Sequence, residues 1–176
     1  MGRTIRFIGD VHGWYGEYLR ITEQVDESIQ VGDMGIGFKI EPSFPKNEDN
    51  PKHRFIRGNH DNPELCKKYS RFILDGTYEE ETGMFFLGGG LSIDQKYRTE
   101  GVSWWRGEEL TIREYGEILD HVLEVKPRIM VTHECPQSVS RLLHSHHSDI
   151  TSRTSQFLDT LFSQHQPEIW VFGDHH

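Results

Sequence analysis

Apolar residues in this chain come in short runs, and run after run stops at glycine beside Asp, Asn or His. Residues 3–8 read as a first strand that ends at Gly9-Asp10-Val11-His12-Gly13. Residues 28–31 and 53–57 repeat the design, ending at Gly32-Asp33-Met34-Gly35 and at Gly58-Asn59-His60-Asp61. Residues 128–132, a buried-type strand, stop at His133-Glu134-Cys135-Pro136, and 168–172 lead to Gly173-Asp174-His175-His176. Glycines at such positions let the backbone turn sharply and leave room for a ligand.

Helical periodicity fills the gaps. Residues 14–25 put Tyr18, Leu19, Ile21 and Val25 roughly on one side. Asn62-Pro63-Glu64 reads as a helix start, with proline near the first helical position, running to Tyr69. Thr111 and Glu114 form a capping box for a helix to Val125, stopped by Pro127. Thr151 or Ser152 caps another, running through Leu161 to about Gln164. Residues 72–74 and 84–87 read as strands around an acidic turn at Glu79–Glu81. Proline and charge over 37–52 mark a surface loop, and 137–150 reads as polar loop holding His144, His146 and His147.

Strands alternating with helices, without a repeat, predict one α/β domain over residues 1–176. In such folds the carboxyl ends of the strands gather along one rim, where sites form. Asp10, His12, Asp33, Asn59, His133, Asp174 and His176 all fall at such ends. Asp-x-His alone is a weak metal signal; its recurrence in kind at five strand ends is what strengthens it.

Composition narrows the class. The 176 residues contain no apolar run near the roughly 20 needed to span a bilayer, and the start has no secretory core. Two cysteines, Cys66 and Cys135, make no disulfide framework and fit a reduced, cytoplasmic protein. A formal charge of -9 argues against duplex nucleic acid and anionic lipid as partners. A phosphate ester remains compatible, because bound cations reverse the local field. Gly88-Gly89-Gly90 permits close backbone approach and lacks the spacing of a dinucleotide fingerprint. Of Trp104 and Trp105, one is expected in the core and one at the surface.

In their order, the blocks Gly9–Gly13, Gly32-Asp33, Gly58–Asp61, Thr132-His133 and Gly173–His176 resemble the calcineurin-like metallophosphoesterases, and the run Gly88–Asp94 with Trp104-Trp105 resembles a bacterial and phage-like subgroup. The resemblance implies a β-sandwich flanked by helices. Members usually continue past the last motif with strands that complete a second sheet, so the chain reads as truncated or trimmed there, with an open edge that could pair chains into a dimer.

The resemblance further implies two divalent ions, the first held by Asp10, His12, Asp33 and His176, the second by Asp33, Asn59, His133 and Asp174, with Asp33 bridging. Carboxylate, amide and imidazole donors suit Mn²⁺ first, with Mg, Fe, Ni or Zn also open. A metal-bridging hydroxide would attack phosphorus, His60 would protonate the leaving group as general acid, and Asp61 would orient the His60 ring. Arg57, on the strand face of Asn59, either forks onto phosphate or is an ordinary strand arginine, and Arg98 is a weaker phosphate contact. Asp174 stands where the family usually has His, and either ligates through its carboxylate or turns outward. Two other functions compete with hydrolysis of simple phosphomonoesters or phosphodiesters. One is an inactive interaction module on the same fold; the other is a nuclease or cyclic-nucleotide phosphodiesterase.

Overall fold

The computed structural model describes residues 3–38, 50–143 and 152–175. Two sheets stack face to face. The first runs β1 (Arg6–Ile8), β2 (Ser28–Val31) and β3 (His53–Ile56), all parallel and in that order. The second runs β4 (Thr77–Glu79), β5 (Met84–Leu87), β6 (Ile129–Thr132) and β7 (Ile169–Val171); β4 is antiparallel to β5 and the others are parallel.

Side-chain alternation explains the stacking. Ile29, Val31 and Ile56 of the first sheet meet Met84, Phe86 and Val131 of the second in a central layer. Their neighbours point outward on each side. Ile8 and Phe55 pack beneath α1 (Tyr15–Thr22) and α2 (Pro63–Cys66), against Tyr15, Tyr18 and Cys66. Phe85, Leu87 and Met130 pack beneath α3 (Ile112–Val125) and α5 (Arg153–Gln164), against Tyr115, Val122 and Leu158. Phe55, Phe85 and Phe86 are fully buried, each contributing about 1.5–3 kcal/mol by leaving water. The fold is thus a mixed α/β sandwich with helices outside both sheets, as the resemblance implied. No helix among the described residues is long and apolar enough to cross a membrane.

The caps fall where expected: Thr111 and Glu114 complete their box, and Ser152 Oγ accepts from Ser155 N. Three elements differ. The strand expected at 72–74 makes a single bridge, Phe55 to Phe72, and the hairpin partner of β5 is 77–79 instead. Helix α2 ends at Cys66 rather than Tyr69; Asn62 Oδ1 caps its start, and the next turn tightens through Lys68 N to Leu65 O and Tyr69 N to Cys66 O. The polar segment after Pro136 contains α4 (Gln137–Leu143), whose Ser138 N donates to Asp159 of α5, a cap supplied from elsewhere in the chain. His144, His146 and His147 lie outside the described residues.

The glycine run after β5 serves close packing. A Cβ on Gly88 would stand 2.4 Å from Arg57 O, and one on Gly89 2.3 Å from Glu108 O.

Candidate metal centre

The carboxyl ends of β1, β2, β3, β6 and β7 converge, bringing Asp10, His12, Asp33, Asn59, His60, His133 and Asp174 together. Backbone conformation is the first sign of how tightly this rim is held. Asp10, His12, Asp33 and Asp174 all have positive φ, between 45° and 65°. Outside glycine the region costs roughly 1–3 kcal/mol per residue, so four instances consume stability that the rest of the fold must supply. Lys126, which closes α3, is the remaining non-glycine case among the described residues.

Asp33 is the centre. It is 1% exposed, at the end of β2. Its Oδ1 lies 3.3 Å from His133 Nε2 and accepts His60 N at 2.8 Å; its Oδ2 lies 3.2 Å from His60 Nδ1 and 3.6 Å from His12 Nε2. Gly58 makes room for it, since a Cβ there would sit 2.0 Å from Asp33 Oδ1. His133 crosses from the second sheet. Its Nδ1 donates to Val31 O at 2.9 Å, which aims Nε2 at Asn59 Oδ1, 3.0 Å away. Asn59 is set in turn by Nδ2 donating to Ser92 Oγ (3.2 Å), and Ser92 Oγ donates to the buried Glu108 (2.6 Å). Sequence reading passed over Ser92 and Glu108. Their only signal was a place in the Gly88–Trp105 neighbourhood, with nothing in their spacing to join them.

Two groups of donors result among the described residues: Asp10, Asp33 and His133, and His12, Asp33 and His60, the ligand atoms of each lying within 4.8 Å of one another. Asp33 belongs to both. Carboxylate oxygens with imidazole nitrogens at this spacing fit divalent ions. Asp10 lies within this reach of His133, and His60 stands beside His12, their Nδ1 atoms 3.4 Å apart. Asp174 turns inward: its Oδ1 is 3.7 Å from His133 Nε2, while its backbone N donates to Asp10 Oδ1. His176 lies outside the described residues. His175 points away from the cluster, to Cys135 Sγ at 3.1 Å.

Two residues do other work than the sequence suggested. Asp61 does not orient the His60 ring. Fully buried, it accepts the backbone N–H groups of Met34, Gly35, Ile36 and Gly58 at 2.8–3.1 Å, tying the loops after β2 and β3 together. Arg57 is not turned to the cluster. Its Nε donates to Asp75 at 2.8 Å and Nη1 to the carbonyls of Gly107 and Glu108, because a buried guanidinium goes where a carboxylate and free carbonyls await it.

Electrostatics describe a cluster short of positive charge. Burial works against a charged His133, but Asp33, Asp174 and Asp10 outweigh it and raise the imidazole to about 9. Burial raises the Asp33 carboxyl, opposed by His133. A proton on His133 Nε2 therefore holds the place of a cation. Burial, then Arg98 and His12, push His60 down to about 3, leaving it neutral. An anionic phosphoryl group beside it would act in the opposite direction.

A profile of the calcineurin-like phosphoesterase family matches residues 3–176, and the chain belongs to that family of metal-dependent phosphoesterases. No protein of curated function and no solved structure matches it.

Proposed function

We propose that the chain is a dinuclear metal-dependent hydrolase of phosphomonoesters or phosphodiesters, with His60 as general acid. The observation that carries the reading is Asp33, whose carboxylate is shared by both donor groups. Asp10, His12, Asp33, Asn59, His133 and Asp174 would hold the ions, Mn²⁺ foremost. When bound, such a pair neutralises phosphoryl charge and supplies a water-derived nucleophile at neutral pH. Asn59 keeps its Oδ1 on the site through Ser92, and the inward Asp174 supports direct ligation. His60 turns Nδ1 to Asp33, so Nε2 is the atom that would take up a proton once an anionic phosphoryl group is bound beside it and then pass it to the leaving oxygen. Free, buried Cys66 and Cys135 support a cytoplasmic setting.

Metal analysis of purified protein, with turnover of 4-nitrophenyl phosphate and bis(4-nitrophenyl) phosphate in Mn²⁺, Mg²⁺ and Ni²⁺, tests this. Two ions per chain and a loss of about 100-fold or more in His60→Ala are expected. A chain that takes up no ion would instead fit an inactive interaction module. A His60→Ala variant as active as the parent would remove the general acid.

A further inference from the structure

We infer that Arg98 contacts substrate and selects esters whose leaving group carries an anionic substituent. This rests on the phosphoesterase reading above, in which His60 marks the leaving-group side.

Arg98 is held as a binding group is held. Asp94 Oδ1 accepts its Nε at 2.5 Å and Ser103 O accepts Nη1 at 3.2 Å, so the guanidinium plane is fixed from two sides. Nη2 has no hydrogen-bond partner among the described residues, and the side chain is 18% exposed. The guanidinium carbon lies 5.8 Å from the centroid of Phe38, whose ring meets His60 edge-on at 5.9 Å. Arg98 and His60 thus both lie against one aromatic ring. Trp105, packed edge-on at 5.1 Å, holds that ring in place.

Charge distribution narrows the role. Arg57 is committed to Asp75 and two carbonyls. Arg98 makes no ion pair with Asp10, Asp33 or Asp174, so those carboxylates do not use up its donors. The transferred phosphoryl group belongs beside Asp33, with the metal-binding donors. A group beyond the leaving oxygen passes His60, runs along Phe38 and meets Nη2. A carboxylate or second phosphate there gains a charge-assisted hydrogen bond from a preorganised guanidinium, while an aromatic spacer gains the Phe38 face.

Calorimetric binding of two non-hydrolysable probes to the Mn²⁺-loaded protein tests this: benzylphosphonate, and 4-carboxybenzylphosphonate with its anion too distant to share the phosphonate's ion. The parent should bind the carboxylated probe about tenfold tighter, the size of one hydrogen bond to a charged group. Arg98→Gln should cut that preference below about threefold, and Arg98→Lys, which keeps charge without the fork, should retain part of it and serves if Arg98→Gln disturbs the loop. Equal binding of both probes by the parent, or an unchanged preference in both variants, overturns the role of Arg98 alone. Failure of the parent to bind either probe overturns the phosphoesterase reading with it.

Discussion

Asp33 faces His133 through one carboxylate oxygen, Oδ1 to Nε2 at 3.3 Å, and keeps the other for His60 and His12. The two residues come from different sheets, so the contact also joins the halves of the sandwich. It separates the cluster into two donor groups with one shared member, and consequences for metal content, pH and stability follow.

His60 stands close enough to Asp33 to serve as ligand or as acid, and substitution distinguishes the roles. His60→Gln should keep its full metal content and lose turnover by about 100-fold or more. His12→Gln should lose one ion, and Asp33→Ala both. Elemental analysis of the three purified variants checks this; loss of an ion in His60→Gln would assign His60 to the ligand set.

Metal affinity should rise with pH. With His133 raised to about 9, the imidazole holds a proton through neutral pH, and that proton must leave before Nε2 can ligate. Between pH 6 and 9 each unit upward should strengthen binding at that site by up to about tenfold, and acid should release the ion. Titration calorimetry in two buffers of different ionisation enthalpy measures the proton released; pH-independent binding would mean that His133 is already neutral.

Asp61 should prove structural first. Asp61→Asn replaces an acceptor of four backbone N–H groups by an amide that presents donors to donors. Charge-assisted bonds of this kind are worth roughly 1.5–3 kcal/mol each, so a loss of about 3 kcal/mol or more is expected in urea unfolding, with weakened metal uptake because Asp33 and Asn59 lie on the two loops it joins. A variant of parental stability that had lost only turnover would restore Asp61 to a role beside His60.

Much of this site is legible in the sequence because its residues are chained to short local patterns. A strand of three or four residues followed by glycine and aspartate leaves the aspartate at a strand end whatever surrounds it, and the Thr111–Glu114 box and the Ser152 cap are equally local. Arg57 and Asp61 are not legible in this way because their roles are set by partners far away: Asp75 and the 107–108 carbonyls for one, the amides of 34–36 for the other. Helix α4 is hidden for the same reason, since Asp159 caps it from α5.

The sequence by itself determined the alternating α/β order, the helix caps and the set of strand-end donors, since these depend on neighbours within a few positions. Only the tertiary structure decided how the donors lie around Asp33, that Asp174 turns inward, that Ser92 and Glu108 hold Asn59, and that Arg57 is buried on Asp75 and two carbonyls while Arg98 lies beside Phe38. Those outcomes depend on which buried charge finds which partner once the sheets stack, because an unpaired polar group left inside costs more than any local preference can repay.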